Sequence, residues 1–546
     1  MAAAQSRRPA SAVAVLSIAA AAPGPVKPRG LLRSSLLVSV MTLCSRVLGL
    51  IRDVVIAIFL GATSNADCFF VAFKIPNFLR RLFAEGAFSQ AFVPVLSEYR
   101  EKGSQESVKL LIDQVSAALG GILLVVTSIA VVASPLVATL FAPGFRDDPA
   151  KFQLTSDMIR ITFPYLFLIS MTGFAGGILN TFGRYAVPAF TPVLLNVCLI
   201  LSAWYLSPYF AEPAMALAWG VLMAGCVQLV FQLPFLQRIQ MLPRPRWGWH
   251  DEGVQRIITL MIPALFGVSV SQVNLLLDTI LASFLPTGSI SWLYYSDRLV
   301  ELPLGVFAIA IATVVLPNLS RLKAIGNEGA FSATLDWGLR SVLLLAIPAA
   351  AALMILAEPI LITLFQYGEL QLRDVTMSAL SLRAYTLGLI PFMLIKVLAP
   401  GFYARQDTKT PVRIGIIAMA ANMVMNIAFV VPLHQYWQIG HAGLALATAA
   451  SAWLNAGLLL RGLRRQAGYQ PLQGWGKYSL QLLLAVCAMV ACLVFGLSMV
   501  DGWQGWTAMQ RALHLMALCV TGCGVYIAVI VATGIRFQHL RGPASS

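Results

Sequence analysis

The sequence predicts an all-α protein that crosses a membrane many times, with about fourteen transmembrane helices. Two features of composition predict this class: 58% of the 546 residues are hydrophobic and only 11% are charged, whereas a soluble domain carries about 25% charged residues. The third observation is a series of apolar segments that reach the length of about 20 residues needed to cross a bilayer. Together these features exclude a soluble enzyme, a disordered chain and a disulfide scaffold.

Fourteen segments have the required length and apolar character. The second and eighth are the least apolar, because they contain charged residues such as Arg80, Asp297 and Glu301. No connection between segments is long enough for a soluble domain. In chain order the predicted spans are 31–60, 67–97, 110–141, 155–181, 186–207, 213–236, 254–284, 290–319, 333–357, 376–402, 411–432, 440–461, 478–500 and 509–535.

Basic residues predict the orientation of these spans. With the N-terminus in the cytoplasm, 24 of the 38 Lys and Arg residues lie on the cytoplasmic side, and four (Arg146, Lys151, Arg373 and Arg511) lie outside. Because cytoplasmic loops carry an excess of Lys and Arg, both termini are predicted to be cytoplasmic. The net charge of +15 is thus largely a signature of topology, and no nucleic acid partner is expected.

The first 30 residues form a separate segment. They are rich in Ala and Pro, and Arg7 and Arg8 precede a short apolar run at 12–22. This arrangement is similar to a signal peptide, but the run is too short to span a membrane, and cleavage would place the first span on the wrong side for the charge pattern. We predict a disordered extension or a misassigned start codon for 1–30.

Two halves of the chain repeat each other. The run at 93–97 (VPVLS) recurs at 316–320 (LPNLS), and Arg160 recurs as Arg383, both 223 residues later. Six spans separate the copies, so both halves have the same orientation, which predicts a two-fold axis along the membrane normal. The predicted division is an N-lobe at 31–240, a C-lobe at 251–465 and an additional helix pair at 475–535.

Three arginines lie deep within predicted spans of both lobes. Arg46 lies about 22 Å from the cytoplasmic end of the first span, and Arg80 and Arg298 lie about 20 and 12 Å below the outer ends of theirs. Arg52 and Asp67 lie closer to the outer face. An arginine at the centre of a span costs about 2.5–3.5 kcal/mol, so a cavity or an ionic partner is expected to receive it. Guanidinium groups bind pyrophosphate well, and we expect a basic, water-filled cavity suited to an anionic head group.

The alternative is a set of ion pairs that only hold the two lobes together. Asp67, Asp297 and Glu301 could neutralise several of these arginines, and in the cavity hypothesis the same acids act as gating or ion-pair partners. For five other basic residues within spans the ion-pair alternative is favoured. They are Lys74, Arg81, Arg160, Arg383 and Lys396.

A second polar cluster is a candidate cation site. Asp278 is the only charge in the stretch 273–284, and Thr448 lies in the twelfth span. Asn422 and Asn426 share one face of the eleventh span, because they are four residues apart. Carboxylate, amide and hydroxyl oxygens are hard ligands that suit Na⁺, and Asp278 alone could carry a proton. The alternative is hydrogen bonding between packed spans.

Common catalytic and metal-binding motifs are absent from the sequence. It contains no GxxxxGK[ST] motif of an ATP motor and no HExxH or GxSxG motif. The eight cysteines and five histidines form no metal-ligand pattern, so no firm metal site and no cofactor are expected. Parallel repeats of this kind are typical of transporters. Without an ATP motor, transport would depend on Na⁺ or H⁺ coupling, the membrane potential or the gradient of the substrate itself.

The first two spans open a stretch that resembles the MurJ (MviN) family of lipid II flippases. The longest motif, LRRLFAEGAFSQAFVP at 79–94, is highly specific, and the resemblance extends from about residue 31 to the C-terminus. The other matching segments are 45–49, 52–53, 66–67, 70–77, 267–272, 294–299, 398–403, 405–407 and 409–411. The segment 1–30 departs from the family pattern.

The resemblance implies a fold of the MATE-like (MOP) exporter superfamily and a function in cell-wall synthesis. Such a transporter moves the undecaprenyl-pyrophosphate-linked disaccharide-pentapeptide, lipid II, from the cytoplasmic to the periplasmic leaflet of the inner membrane by alternating access. Its implied partners are lipid II, membrane lipids, and proteins of wall synthesis or division. The last two spans resemble the pair that forms a hydrophobic groove for the lipid tail.

The resemblance also assigns roles to residues of this sequence. The family's essential cavity arginines match Arg46, Arg52, Arg80 and Arg298, and its essential acids match Asp67 and Glu301. The sodium site of some relatives is similar to the cluster of Asp278, Asn422, Asn426 and Thr448.

Two other classes of function stay open at this point. A drug or cation antiporter of the same fold would favour an acidic or aromatic cavity, whereas this one is rich in Arg. A membrane scaffold for wall-synthesis enzymes would need no alternation between leaflets, so cysteine accessibility from both sides would distinguish it.

Overall fold

The computed structural model of the chain describes residues 28–466, 469–500 and 502–535. Regular structure in these ranges is helical throughout, as the sequence predicts. Most of the predicted extension at 1–30 lies outside the described residues.

Nine α-helices form the first half of the chain, eight form the second half, and two follow. The first half contains α1 (Pro28–Leu60), α2 (Ser64–Arg80), α3 (Ser89–Lys102), α4 (Gln105–Val132), α5 (Ser134–Phe141), α6 (Pro149–Thr162), α7 (Pro164–Thr181), α8 (Ala186–Leu201) and α9 (Pro213–Arg238). The second half contains α10 (Glu252–Ser283), α11 (Ser289–Pro303), α12 (Ile309–Ala324), α13 (Glu328–Ile355), α14 (Ala357–Phe365), α15 (Leu372–Tyr403), α16 (Lys409–Trp437) and α17 (Gly440–Gln466). The last two are α18 (Trp475–Ser498) and α19 (Ala508–Ala532).

Short π-helical and 3₁₀ segments connect or extend several of these helices. The π-helical segments are Arg81–Phe88 between α2 and α3, Ser202–Leu206 after α8, and Leu304–Ala308 between α11 and α12. The 3₁₀ segments are Pro143–Asp147, Ser207–Tyr209 and Trp503–Gly505.

Eleven helices or continuous helix pairs in the described ranges are long and apolar enough to cross a membrane. Each coincides with a predicted span, including the charged eighth span at Ser289–Ala324. The other three predicted spans, at 31–60, 67–97 and 254–284, are occupied by α1, the continuous rod from α2 to α3, and α10. The count of fourteen spans stays a prediction.

Helix boundaries recur with the same spacing as the sequence repeat. The π-helical segments at Arg81 and Leu304 begin 223 residues apart, as do α4 and α13, and α8 and α16. The breaks at Ala133 and Leu356, after α4 and α13, have the same spacing. The backbone thus deviates from α-helical geometry at matching points of both halves, which supports the repeat; the two-fold axis stays a prediction.

The last two helices pack on the second half. A cluster of apolar side chains from α18 and α19, including Leu482 and Ile530, packs with Leu344 of α13. Tyr526 Oη donates a hydrogen bond to the Leu344 carbonyl (2.7 Å). Arg511 at the start of α19 is 7% exposed and donates to the Ile362 carbonyl at the end of α14 (3.3 Å). This cation, predicted to lie outside, is buried because it satisfies carbonyl groups of a helix C-terminus.

Candidate functional site

A cavity of about 450 Å³ lies between the two halves of the chain. Helices α1, α2 and α8 line it from the first half, and α10, α11, α15 and α17 line it from the second. Among the described residues, five basic and three acidic side chains line this central cavity. They are Arg52, Lys74, Arg80, Arg81 and Arg298, with Asp278, Asp297 and Glu301.

Helical periodicity presents these polar side chains on one face of their helices. Phe70, Lys74 and Asn77 on α2, and Arg81 just after it, lie three or four residues apart and all line the central cavity. Residues with that spacing share a helix face. On α11 the same spacing relates Tyr294, Asp297, Arg298 and Glu301. The rings of Phe70 and Tyr294 stack with centroids 4.0 Å apart, so the two faces meet across the interface.

A buried carboxylate joins two of the predicted arginines. Asp53 Oδ1 accepts from Arg52 Nη2 (2.7 Å) and from Tyr294 Oη (2.8 Å), and its Oδ2 lies 3.2 Å from Arg298 Nε. The Tyr294 hydroxyl in turn accepts from Arg52 and Arg298, each at 3.2 Å. Arg52 Nη1 also donates to Asn196 Oδ1 (3.0 Å). This cluster therefore connects α1 of the first half to α11 of the second through charge-assisted hydrogen bonds.

Arg298 and Arg80 lie in the wall of the cavity, as expected from their depth. Arg298 Nη1 donates to Glu301 Oε2 (2.9 Å), and the Arg298 side chain is 31% exposed. Arg80 Nε donates to Asn77 Oδ1 (3.3 Å). A ligand that enters the cavity can therefore reach the guanidinium groups of both arginines.

Arg46 is not among the residues that line the central cavity. It lies six residues, or about 9 Å along the axis, before Arg52 on α1. Its guanidinium packs against Gly305 in the π-helical segment of the second half, where a β-carbon would overlap it. The prediction from depth was therefore incomplete, because depth specifies a level in the membrane and not the face of the helix.

Asp67 lies at the end of the interface that is predicted to face outside, here called the outer end. Its carboxylate is 1% exposed and accepts hydrogen bonds from Gly288 N (2.8 Å), Ser291 N (3.1 Å) and Ser291 Oγ (2.7 Å) at the start of α11. A helix N-terminus favours a carboxylate through its free amides and its dipole. Lys151 Nζ lies 3.3 Å from Asp67 Oδ2 and 3.3 Å from Thr287 Oγ1.

The outer-end contact corrects two expectations. Asp67 was expected to pair with an arginine, whereas its basic partner here is Lys151. Lys151 was assigned to an outer loop, but it is 7% exposed, because it is in the first turn of α6, which packs on α2. The sequence showed no apolar context that would have marked it as buried.

Two glycines allow the backbones of both halves to meet at the outer end. Gly61 and Gly368 have φ of +57° and +59°, a region that disfavours other residues. A β-carbon on Gly61 would overlap the backbone of Glu369, and one on Gly368 would overlap that of Ile58. Glu369 N donates to the Ile58 carbonyl (3.0 Å) across this junction. The outer end is closed in this conformation.

Replacement of Gly368 by Val is expected to open the outer end, because the side chain and the backbone of Ile58 cannot occupy the same space. A single cysteine at Leu293, in the cavity wall, should then react with a reagent added from outside, and transport should fall about tenfold or more. The matched control is Gly326→Val, since Gly326 also has positive φ (+72°) but no neighbour within 4 Å. Equal outside labelling in both variants would contradict the prediction.

The four residues of the predicted cation site lie together. Asn426 Nδ2 donates to Asp278 Oδ1 (3.0 Å) and to Asn422 Oδ1 (3.1 Å), and Thr448 Oγ1 donates to Asp278 Oδ2 (3.4 Å). Asn422 and Asn426 are 1% and 0% exposed. Within the described residues, Asn426 Oδ1 is a buried acceptor without a hydrogen-bond donor. Asp278 and Thr448 also line the central cavity.

Sequence reasoning missed several polar residues of this site. Asp53 and Tyr294 were quoted only as parts of motifs, although Asp53 is a charge adjacent to Arg52 within a span. Lys74 and Arg81 were assigned to ion pairs, whereas both line the central cavity. Their spacing of seven residues, with Asn77 between them, is the signal that could have placed them on the face of Phe70.

Two of the other basic residues within spans lie in ion pairs, as the alternative favoured. Arg160 Nη1 lies 3.4 Å from Asp157 Oδ1, and Arg383 Nη2 lies 3.1 Å from Glu358 Oε1. Neither arginine lines the central cavity, so both offer controls for its basic residues.

Comparison with known proteins identifies one family. The family model described as lipid II flippase MurJ matches residues 56–513. A probable lipid II flippase MurJ of Vibrio cholerae is 52% identical over 518 residues, which cover 94% of this chain and 98% of that protein. The lipid II flippase MurJ of Burkholderia cenocepacia is 42% identical over 517 residues, which cover 94% of this chain and 99% of that protein.

Solved structures share the fold. A lipid II flippase MurJ in an inward closed conformation matches with a TM-score of 0.75 and 26% identity, covering 91% of this chain and 100% of that one. An inward-facing multidrug resistance transporter of the MATE family, in the MOP superfamily, matches with a TM-score of 0.63 and 14% identity, covering 80% of this chain and 99% of that one. The second likeness concerns the fold alone.

Proposed function

The chain belongs to the MurJ family of lipid II flippases, and from that premise we propose that its central cavity holds the pyrophosphate of lipid II during transport. The protein is a transporter of the bacterial inner membrane and not an enzyme, and it serves peptidoglycan synthesis by moving lipid II to the periplasmic leaflet. The proposal concerns the residues that carry this activity.

The observation that carries the proposal is the group of basic side chains that converge from both halves. Arg52 and Arg298 approach each other through Asp53, and Lys74, Arg80 and Arg81 line the same volume. A pyrophosphate offers several oxygens to planar guanidinium groups, which bind such groups in pairs of hydrogen bonds. An antiporter of organic cations would need the opposite charge, and three acids do not offset five basic residues.

Acidic side chains pair with these arginines when no pyrophosphate is bound. Asp53 and Glu301 hold Arg298 in this conformation, and an arriving pyrophosphate competes with both carboxylates for the same guanidinium. When the ligand leaves, the carboxylates take its place, so the arginines are never without a counter-ion in a low-dielectric site. Exchange of partners therefore couples binding to the contact between α1 and α11.

The closed outer end supplies the other half of an alternating-access cycle. With Asp67 at the start of α11, the cavity is separated from the outside, and release to the periplasmic leaflet requires that contact to break. We take the lobes to be 31–240 and 251–465, with both termini in the cytoplasm. The helix pair at 475–535 carries exposed apolar side chains, among them Leu480, Leu483 and Val520, which suits a surface for the prenyl tail.

Binding of a prenyl pyrophosphate without sugars tests the role of the arginines. Arg298→Ala and Arg52→Ala should each weaken its binding to the full chain in nanodiscs by about tenfold or more. Arg383→Ala is the matched control, because Arg383 also lies within a span but pairs with Glu358 away from the cavity. Unchanged affinity in both cavity variants would refute the proposal.

For the energy source we propose Na⁺ coupling at the cluster of Asp278, Asn422, Asn426 and Thr448. The donor set fits the ion, since it offers a carboxylate, amide oxygens and a hydroxyl, which are hard oxygen ligands. The buried Asn426 Oδ1 lacks a hydrogen-bond donor among the described residues, and such an acceptor is costly unless a cation or a water satisfies it. Lys74 lines the same cavity as Asp278, so a cation bound at Asp278 would change the electrostatic potential at the Lys74 ammonium group.

Replacement of Asp278 by Asn is expected to remove the effect of Na⁺ on the protein. The wild-type Tm should rise when K⁺ is exchanged for Na⁺ at constant ionic strength, because a ligand that binds only the folded state stabilises it, and the rise should vanish in Asp278→Asn. Asp157→Asn, which removes an exposed carboxylate paired with Arg160, should keep it. An equal Na⁺ shift in both variants would contradict this site, and a wild type that responds to pH but not to Na⁺ would favour a proton at Asp278.

A further inference from the structure

A second cavity of about 320 Å³ lies within the first half, beside the central one. It is enclosed by α7, α8 and α9, with Ser89 at the start of α3. Arg80 and Leu195 line both cavities, so the two volumes share a wall. Among the residues that the structure describes, Arg80 is the only charged one that lines this second cavity.

Neutral hydrogen-bonding residues form one part of the lining, beside apolar residues such as Ile169 and Leu195. The polar residues are Ser89, Thr172, Asn180, Thr191, Gln228 and Gln232. Gly176 and Gly177 add backbone without side chains. A cavity that only separates packed helices would be lined by apolar side chains, because polar groups within a membrane protein are costly when they are not used.

Gln232 lines this volume and carries a buried acceptor without a hydrogen-bond partner in the part of the chain that the structure describes. Its side chain is 1% exposed, and Gln232 Nε2 donates to Thr191 Oγ1 (2.9 Å). Gln228 Nε2 donates to the Thr191 carbonyl (3.0 Å), so the amide groups are held in place. Within the described residues Gln232 Oε1 has no hydrogen-bond donor. A β-carbon on Gly176 would lie 3.9 Å from that oxygen, in ordinary van der Waals contact.

The repeat shows that two of the polar lining residues are particular to the first half. At the spacing of 223 residues that relates Pro188 to Pro411, Thr172 corresponds to Ile395 and Thr191 to Ile414. The packing of the matching helices is thus possible with apolar residues at these positions. Gln228 and Gln232 correspond to Ser451 and Asn455, so the two amide positions are polar in both halves.

We propose that this second cavity is the subsite for a neutral, N-acetylated sugar of the transported head group. The assignment rests on the proposed function, since Arg80 would join the sugar subsite to the pyrophosphate in the central cavity. Sugar hydroxyl and acetamido groups need both donors and acceptors at close range, which amides and hydroxyls provide. An acidic peptide would require basic side chains, of which Arg80 is the one that lines this cavity among the described residues, and a prenyl chain would offer no donor to the buried Gln232 Oε1.

Three probes with the same short prenyl chain test the subsite: the pyrophosphate alone, the pyrophosphate with its disaccharide, and the complete disaccharide-pentapeptide. Binding is measured with the full chain in nanodiscs. Gln232→Met keeps the volume and removes both amide groups, and it should weaken both sugar-bearing probes about tenfold and the pyrophosphate less than twofold. Thr172→Val should act in the same direction.

A matched control separates the subsite from the fold. Thr386→Val makes the same change at a buried threonine whose hydroxyl also donates to the carbonyl four residues earlier, but Thr386 lines neither cavity. It should leave all three affinities unchanged. Gln232→Met removes the hydrogen bond to Thr191 Oγ1 together with an acceptor that has no donor among the described residues, so the Tm of the ligand-free protein should change little.

Different results would contradict the sugar subsite and the proposed role of the central cavity. Equal affinity of Gln232→Met and wild type for the sugar-bearing probes would overturn the subsite, and so would a loss confined to the peptide-bearing probe. Neither result would contradict the proposed role of the cavity arginines in binding pyrophosphate. If Arg298→Ala bound the prenyl pyrophosphate as well as wild type does, the proposed role of the central cavity would fail, whatever the outcome for Gln232.

Discussion

Reversal of the charge at Arg298 is expected to abolish transport while the protein still inserts into the membrane. In Arg298→Glu a new carboxylate would face Asp53 and Glu301, which bind the guanidinium at 3.2 and 2.9 Å. The cavity would lose a cation that is shared by both halves and gain like-charge repulsion. We expect a loss of transport of at least about a hundredfold, measured as failure to sustain wall synthesis when the variant is the sole copy.

Two further variants make this result specific. Arg298→Lys keeps the charge but not the planar fork, so it should retain partial transport. Arg383→Glu reverses a charge within a span at 38% side-chain exposure, away from the cavity, and should support growth. Normal wall synthesis with Arg298→Glu, present at wild-type abundance, would exclude a role for this residue in holding the substrate.

Loss of the charge at Asp67 is the second large effect that we expect. Asp67→Asn would leave Lys151 buried without its counter-ion and weaken the bonds to Gly288 and Ser291 at the start of α11. Removal of one member of a buried ion pair costs about 3–5 kcal/mol, which is enough to shift a two-state equilibrium away from the closed outer end. Labelling of a cavity cysteine from outside should increase, and transport should fall about tenfold or more.

A double variant distinguishes this explanation from loss of the fold. Asp67→Asn combined with Lys151→Met removes both charges, so the uncompensated lysine disappears and outside labelling should return part of the way to wild type. Glu212→Gln is the matched control, because Glu212 is an exposed acid at the same end that bonds Asn65 within the first half. If the single and double variants labelled equally, the ion pair would not be what closes the outer end.

Part of the cavity could be predicted from the sequence, because charged residues within membrane spans are energetically unfavourable unless a polar site receives them. Arg80 and Arg298 stood out because an arginine within an apolar span needs a receptive site. Arg52 was assigned to the cavity by the family resemblance, and the structure brings all three to one cavity. Asp278 and Asn426 could be paired across α10 and α16 for the same reason. Helix rotation was harder to predict, because distance along the axis could not show that Arg46 packs on Gly305.

Other features left no signal in the sequence. Lys151 follows a proline and an alanine in what reads as a polar loop, and only the docking of α6 on α2 buries it. Gln232 and Thr191 are neutral residues in apolar helices, where such residues commonly bond between helices. They line the same cavity because of how α8 and α9 pack against each other. The residue pattern within a single helix does not predict that packing.

Leaflet-resolved measurement of lipid II after depletion tests the central claim, that the head group crosses through the cavity of Arg52 and Arg298. Cells depleted of the native flippase would be supplied with this chain, and lipid II in the outer leaflet would be measured by cleavage with an enzyme added from outside. Wild type and Arg383→Ala should restore the external pool, whereas the double variant Arg52→Ala/Arg298→Ala should leave it at the depleted level. Restoration of the pool by the double variant, at wild-type abundance, would contradict the claim.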